Sequence, residues 1–272
     1  MSTSAAIGVV SCAGRMGRTI LSAVIASADC RLAGTSQYEG HSCIGSDAGT
    51  LAGSGNVGCT VSADPATVMA AADAVIDFST PEATMAHLAA ASTAGTPLVV
   101  GTTGLSRDQR EALRRASERS AVLFAPNMSV GATLLTEYTR RLAATLDDTY
   151  DIEILGLQHR HKVDAPSGTA LALARAAAEG RGLDPETVGA TPRDGHTGAR
   201  PVGAIGMATV QGGSMLGEHS AIFAGTGERL ELAHRPGSRD VYATGAVRAA
   251  LWLAGQKPGL YGMRDALGLA IR

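Results

Sequence analysis

Short apolar runs alternate with helix-length segments through the first half of the chain. The apolar runs lie at residues 5–10, 31–35, 74–78, 97–101 and 121–124. The segments of helical length lie after the first run to about residue 28, and at 65–72, 82–94 and 106–119. Strands that alternate with helices in this way predict a parallel, doubly wound sheet. The first half is therefore expected to be a Rossmann-type α/β domain.

The pattern changes in the second half. Predicted helices at about 130–145 and 169–179 flank an apolar run at 150–157, and β-rich runs follow at 204–210, 220–223 and 228–233. Such runs predict an open antiparallel or mixed sheet with helices on one face, as in an α+β domain. An apolar helix over 241–254 has no evident partner nearby, so we expect it to return to the first domain. The predicted domains are 1–129 and 130–239, with 240–272 as the return.

Composition and charge exclude several classes of protein. The 272 residues are 45% hydrophobic and carry a formal charge of −2, which gives no field to attract nucleic acid or an anionic membrane. No apolar stretch approaches the roughly 20 residues that span a bilayer, and the N-terminus lacks the basic region of a signal peptide. The four cysteines form no CxxC pair. We expect a cytoplasmic enzyme with reduced thiols and no nucleic-acid or membrane partner.

A glycine-bearing turn follows the first predicted strand, at Ser11–Gly17. A Rossmann turn needs glycines so that the backbone can approach a pyrophosphate, whose charge then lies on the N–H groups of the next helix. Ser11 and Ala13 replace two glycines of that fingerprint, while Gly14 and Gly17 remain. With the alternating pattern behind it, the turn predicts dinucleotide binding.

The second predicted strand ends without the carboxylate that NAD-specific sites usually offer to the adenosine ribose. Ser36, Gln37 and Tyr38 stand there, and Glu39 comes one or two places late. Arg15 in the turn could attract a 2′-phosphate. The pattern favours NADPH, or use of both NADPH and NADH; the alternative is that these are ordinary loop residues.

Two loops follow later strands at the carboxyl edge of the predicted sheet, where ligands of such sheets bind. Gly101–Gly104 and Ala125–Met128 offer small and amide groups that suit a nicotinamide ribose and carboxamide, although either could be a plain turn. The predicted coenzyme-binding residues are Ser11, Cys12, Ala13, Gly14, Arg15, Met16, Gln37, Gly101, Thr102, Thr103, Ala125, Pro126, Asn127 and Met128.

The densest polar cluster runs from Gln158 to Thr169, between a predicted strand and a predicted helix. Ser167, Gly168 and Thr169 are placed to hold a substrate carboxylate at the helix N-terminus, or simply to cap the helix. Only two of the 23 basic residues are lysines, Lys162 and Lys257. Because a lysine can donate a proton at a tunable pKa and an arginine cannot, Lys162 is the best candidate acid.

Alternation within the same cluster makes a further prediction. If the strand stays extended, Gln158, Arg160 and Lys162 share one face and the two histidines at 159 and 161 share the other. A His-x-His pair can bind metal, but no acidic or cysteine ligands with suitable spacing accompany it, and we expect no metal. The stretches Gly195–Gly198, Gly217–His219 and His234–Arg235 offer more polar groups, for which a solvated or structural role is the default.

Several of these stretches together resemble one family. They are Gly14–Gly17, Gly45–Gly49, Asp77–Glu82, Gly101–Gly104, His159–Ala170, Gly195–Gly198, Gly217–His219 and Gly245–Arg248. They resemble the 4-hydroxy-tetrahydrodipicolinate (dihydrodipicolinate) reductases of lysine and diaminopimelate biosynthesis. The resemblance implies a Rossmann domain closed by the C-terminal helix, plus a smaller substrate domain whose sheet assembles a homotetramer.

The resemblance also implies an activity and roles for residues. The expected reaction is hydride transfer from NADPH or NADH to a small heterocyclic dicarboxylate, giving tetrahydrodipicolinate. Lys162 would be the proton donor, His159 a substrate contact, and Gly168 with Thr169 the carboxylate cradle.

Gln158 departs from the family, which carries an acid-base histidine at this position. A glutamine cannot shuttle a proton, and losing a positioned acid or base costs about 10²–10⁴-fold in rate unless another group substitutes. This leaves two alternatives open: a paralogous reductase of another imine or carbonyl, and a non-catalytic dinucleotide-binding protein. The pair at 37–38 also departs, since the family often has an acid and an arginine there.

Overall fold

The computed structural model describes residues 4–187, 193 and 195–269. These residues form two compact units. The first comprises the described residues of Met1–Val130 and Arg239–Arg272, and the second comprises those of Gly131–Ser238. Within the described ranges, no helix is both long enough and apolar enough to cross a membrane.

The strands in chain order are β1 (Ala5–Val10), β2 (Cys30–Ser36), β3 (Val61–Ser62), β4 (Ala74–Asp77), β5 (Leu98–Val100), β6 (Ala121–Phe124), β7 (Asp151–Gln158), β8 (Ile205–Gln211), β9 (Leu216–Gly225), β10 (Glu228–His234) and β11 (Gly259–Tyr261). The α-helices are α1 (Arg15–Ala26), α2 (Ala48–Ala52), α3 (Pro65–Ala71), α4 (Pro81–Ala94), α5 (Arg107–Ala116), α6 (Val130–Thr145), α7 (Gly168–Gly180), α8 (Asp240–Leu253) and α9 (Met263–Ala266).

The first unit is a parallel sheet with helices on both faces. Its strand order is β11-β6-β5-β4-β1-β2-β3, and every pair is parallel. On one face α1 buries Ile20, Leu21 and Val24 in a core shared with α8. On the other face, side chains of α3, α4 and α5 form a second core. The predicted doubly wound Rossmann-type sheet is confirmed.

Helix α8 returns to the first unit, as its apolar sequence predicts. It packs against α1 and against the central strands through small residues, among them Ala243, Ala246 and Ala250. The helix approaches the loop after β6 so closely that a Cβ on Gly245 would lie 1.8 Å from the carbonyl oxygen of Met128. A glycine is therefore required where this helix meets the loop.

The second unit is a mixed sheet of order β10-β9-β7-β8, in which only β7 and β8 are parallel. The residues of β7 alternate: Ile152 and Ile154 are buried in a core with α6 and α7, while Asp151 and Glu153 are only partly buried. This is the mixed α+β arrangement that the sequence predicts. The sheet brings the end of β7 next to the N-terminus of α7.

The polar cluster does not continue β7. The strand ends at Gln158, and the chain turns, with the Lys162 amide donating to the His159 carbonyl at 3.1 Å. The prediction that Gln158, Arg160 and Lys162 share one strand face is therefore wrong, because its condition of an extended strand is not met. Four short elements were not predicted from the sequence: α2, β3, β11 and α9.

Candidate functional site

The turn between β1 and α1 has Rossmann geometry despite its missing glycines. Ser11 adopts φ 55°, in the left-handed region that favours glycine. A Cβ on Gly17 would lie 2.5 Å from the Ser11 carbonyl oxygen and 2.7 Å from that of Cys12. The tight turn therefore requires a glycine at position 17. Ser11 adopts its left-handed conformation at a cost in backbone strain.

Cys12 contributes only its backbone to this turn. Its amide donates to the Ser36 carbonyl at 3.1 Å, which ties the turn to the end of β2. Its side chain lies in the core of the first unit, and burial raises the pKa of the Cys12 thiol to about 11. The thiol therefore stays protonated at neutral pH.

A cavity of about 400 Å³ lies at the carboxyl edge of the first sheet. Its lining residues are Arg15, Met16, Phe78, Ser79, Gly101, Thr102, Thr103, Pro126, Asn127, Met128, Arg239 and Tyr242. Eight of the residues predicted for the coenzyme are in this set. The other six do not line the cavity: Ser11, Cys12, Ala13, Gly14, Gln37 and Ala125.

Four lining residues were not among the predicted contacts. Phe78 lies against Gly101, where a Cβ would come within 2.2 Å of the phenyl ring. Phe78 and Ser79 belong to the Asp77–Glu82 stretch, which was a usable signal. Arg239 and Tyr242 lie at the start of α8, and only the return of that helix brings them to the cavity.

Hydrogen bonds hold the loops after β4 and β5 together at this cavity. The Ser79 amide donates to Asp77 Oδ1 at 2.9 Å and to Thr102 Oγ1 at 3.1 Å, and Thr84 Oγ1 donates to Thr102 Oγ1 at 2.8 Å. The other Asp77 oxygen lies 3.1 Å from Nδ1 of buried His87. These bonds fix Phe78 and Thr102 as walls of the cavity.

The end of β2 presents neutral groups. Gln37 is only 9% exposed, and its Oε1 is buried without a hydrogen-bond partner among the described residues. Tyr38 is 68% exposed, and its ring contacts that of His41 edge to face at 5.1 Å between centroids. This edge of the first unit offers an amide and an aromatic surface, with no carboxylate at positions 36–38.

In the second unit, Lys162 lies on the turn after β7. Its side chain is 19% exposed, and its Nζ donates to Asp164 Oδ1 at 2.6 Å. The same bond lowers the pKa of the Asp164 carboxyl below its ordinary value. The carboxylate therefore stays charged at neutral pH and remains the partner of Lys162 Nζ.

The N-terminus of α7 lies in the same cluster. Ser167 is the N-cap residue, and its Oγ accepts from the Ala170 amide at 3.1 Å. Gly168 is exposed, and nothing lies within 4 Å of where its Cβ would be. The side chain of Ser167 is buried and committed to the cap, so the open surface of this N-terminus is at Gly168.

Gln158 and Ser167 meet at a histidine that sequence reasoning left with a default structural role. His219 Nε2 lies 2.7 Å from Ser167 Oγ and 3.2 Å from Gln158 Nε2. Burial lowers the pKa of His219 to about 4, with the charges of His234 and Lys162 adding to the effect. The imidazole is therefore neutral at pH 7.

The two histidines of the cluster differ in their surroundings. His159 Nδ1 is buried and has no hydrogen-bond partner among the described residues, whereas His161 is exposed. Their rings lie 6.4 Å apart. In the described part of the chain, no group of three or more His, Cys, Asp or Glu side chains is arranged to hold a metal ion.

Comparison with known families covers nearly all of the chain. Residues 5–128 match the family model "Dihydrodipicolinate reductase, N-terminus", and residues 131–267 match "Dihydrodipicolinate reductase, C-terminus". A curated 4-hydroxy-tetrahydrodipicolinate reductase of Magnetococcus marinus is 51% identical over 96% of this chain and 98% of its own length. One of Thiobacillus denitrificans is 48% identical over 99% and 100%.

Solved structures show the same fold at low sequence identity. A dipicolinate-bound dihydrodipicolinate reductase from Paenisporosarcina sp. TG-14 aligns with a TM-score of 0.76 at 20% identity, covering 97% of this chain and 99% of that one. An amine dehydrogenase from Mycobacterium smegmatis aligns with a TM-score of 0.61 at 14% identity, covering 95% of each chain.

Proposed function

The chain belongs to the dihydrodipicolinate reductase family, and we propose how its residues carry out the family reaction. It is an oxidoreductase that uses a nicotinamide dinucleotide to reduce 4-hydroxy-tetrahydrodipicolinate to tetrahydrodipicolinate in lysine and diaminopimelate biosynthesis. The two alternatives are not favoured, because relatives about half identical over almost the whole chain share this activity in their names. The observation that carries the proposed roles is the position of Lys162 in one cluster with the open N-terminus of α7.

The cavity of the first unit fits the coenzyme. Gly17 allows the turn to approach a pyrophosphate, and no side chain of the described residues caps the N-terminus of α1 at Gly14. Residues 101–103 and 126–128 would hold the nicotinamide ribose and carboxamide against Phe78. When bound, the coenzyme supplies the hydride.

NADPH, or both NADPH and NADH, is the proposed coenzyme. The end of β2 carries no acid at positions 36–38 to repel a 2′-phosphate, and Arg15 is exposed. The ratio of kcat/KM with NADPH to kcat/KM with NADH tests this. Arg15→Ala should lower that ratio in favour of NADH, because a guanidinium helps only the phosphorylated ribose. A strong wild-type preference for NADH would contradict the proposal.

A substrate carboxylate is proposed to bind at the N-terminus of α7. The backbone N–H groups of Gly168 and Thr169 would be its donors, and the positive end of the helix dipole favours the anion. Gly168 leaves room for a close approach. Ser167 would support this site indirectly, by capping the helix. His159, whose Nδ1 has no partner among the described residues, is a second proposed contact.

Lys162 is the proposed proton donor. Hydride addition to the heterocycle leaves negative charge that must be neutralised. The ammonium held by Asp164 lies close enough to His219, which contacts Ser167 at the start of α7, to help lower the pKa of that imidazole. Gln158 cannot donate a proton in this way, and its amide faces His219. Of the two catalytic candidates, Lys162 and Gln158, only Lys162 is therefore an acid.

Restoring histidine at Gln158 tests this assignment. If Lys162 supplies the proton, Gln158→His should change kcat on the pathway substrate by less than about tenfold, since no essential acid is missing. Steady-state rates with freshly generated substrate, followed at 340 nm, measure it. A gain of a hundredfold or more would show that the proton passes through position 158.

A homotetramer in the cytoplasm is the proposed form and location. The face of the second sheet that carries Leu155 and Leu157 also carries Val210, the cross-strand partner of Leu157, and all three are at least partly exposed. An apolar face of this kind fits assembly through the sheet. Sedimentation should give the mass of four copies of the chain, and Leu157→Arg should lower the number of copies in the assembly.

A further inference from the structure

His219 is a buried titratable group to which the reaction above gives no role. It lies on β9 opposite Gly156 of β7, just after a β-bulge where Gly217 adopts φ 94°. A bulge of this kind re-aims the side chains that follow it. The imidazole reaches both the end of β7, at Gln158, and the start of α7, at Ser167.

The protonation state fixes the direction of these bonds. The imidazole makes a hydrogen bond with the Gly217 backbone, and because it is neutral it has one N–H. The Gln158 amide nitrogen that faces Nε2 can only donate, so Nε2 is an acceptor and the N–H is on Nδ1, from which it donates to the Gly217 carbonyl. Nε2 then accepts from the Ser167 hydroxyl at 2.7 Å.

This acceptor determines how Ser167 caps the helix. Because the Ser167 hydroxyl donates its hydrogen to His219, its oxygen is left to accept from the Ala170 amide. The cap holds the first turn of α7, which includes Gly168 and Thr169. We propose that His219 is a positioning residue that fixes the carboxylate-binding N-terminus of α7 through Ser167, and that it contacts neither substrate nor coenzyme.

The proposal rests on the proposed substrate role of α7, and two amide substitutions test it. In His219→Gln the amide oxygen reaches the position of Nε2 and can accept from Ser167. In His219→Asn the shorter amide reaches only the position of Nδ1, so it keeps the Gly217 contact and loses Ser167. Both variants are polar and smaller than histidine, which makes them a matched pair for folding.

His219→Asn should raise KM for the heterocycle about tenfold or more, because a buried hydroxyl loses its acceptor and the cap loosens. KM for the coenzyme and kcat should each stay within about threefold of wild type. In His219→Gln, KM for the heterocycle should return most of the way to the wild-type value. Hydrogen exchange at the Ala170 amide should be faster in His219→Asn than in His219→Gln.

A double-mutant cycle completes the test. Ser167→Ala should raise KM for the heterocycle, and His219→Asn combined with Ser167→Ala should be no worse than the poorer single variant. Additive effects, or equal KM values for the two amide variants, would overturn the role of His219. A normal KM in Ser167→Ala would likewise overturn the role of His219. A normal KM in Thr169→Pro, which removes one of the two proposed N–H donors in the first helical turn, where proline is tolerated, would instead overturn the proposed carboxylate site.

Discussion

Two helix N-termini, those of α1 and α7, are the proposed anion sites of this protein, and they are built in opposite ways. Gly14 begins α1 without a side-chain cap, and the turn before it depends on Gly17 fitting against two carbonyl oxygens. The N-terminus of α7 has a serine cap that is tied to His219. One site is shaped by backbone contacts and the other by buried hydrogen bonds.

The two N-termini should therefore be sensitive to different substitutions. A close-packed backbone turn tolerates polar changes but not an added methyl group, because packing leaves no room. A hydrogen-bonded cap tolerates small changes of volume but not the loss of an acceptor, because a buried polar group is then unsatisfied.

The largest effect is expected at the cluster beside α7. Lys162→Met should lower kcat by about 10²–10⁴-fold, since it removes the proposed acid, while binding of the coenzyme in the first unit stays unchanged. Lys257→Met is the matched control, because it removes the only other lysine, which is exposed. Equal kcat in the two variants would assign the acid to another group.

The turn before α1 gives the next effect. Gly17→Ala places a methyl group 2.5 Å from a carbonyl oxygen, so it should lower the free energy of unfolding by about 3 kcal/mol and weaken coenzyme binding. Gly14→Ala is the control, because its nearest contact would be 3.8 Å. Denaturant unfolding of both variants measures the difference. Equal stabilities would mean that the turn relaxes freely.

The cap of α7 is expected to depend on pH. The pKa of His219 is lowered from 6.5 to about 4, so the unfolded chain binds the extra proton between these values. The stabilisation is present above pH 6.5 and is lost as pH falls toward 4, by on the order of 3 kcal/mol. His219→Gln should flatten the dependence of Tm on pH over that range. An unchanged slope would show that other groups, such as His234, dominate.

The smallest effect is expected at Ser11. Ser11→Gly should raise the free energy of unfolding by about 1 kcal/mol or less, because glycine adopts positive φ without a steric penalty, although it also loosens the unfolded chain. Thermal unfolding measures it. A loss of stability would mean that the serine side chain contributes more than its backbone strain costs.

Much of the fold and of the site follows from local sequence. The apolar runs at 150–157 and 241–254 predict the strand β7 and the buried helix α8, and the polar cluster that ends in Ser167 and Gly168 predicts the start of α7 to within one residue. Elements such as α2 and β3 were missed because two to five residues are too few to show a hydrophobic period. The strand-face prediction for Lys162 failed because a turn, which has no period, replaced the strand after Gln158.

Local sequence was enough to predict the α/β architecture of the first unit, an antiparallel or mixed sheet in the second, and Lys162 as the candidate acid. Chain folding alone brings Arg239 and Tyr242 to the cavity of the first unit, and His219 between Gln158 and Ser167. The physical reason is the range of the interactions. Periodicity and capping act over a few residues, whereas Ser167 and His219 lie 52 residues apart and meet only because β7, β9 and α7 pack around one core.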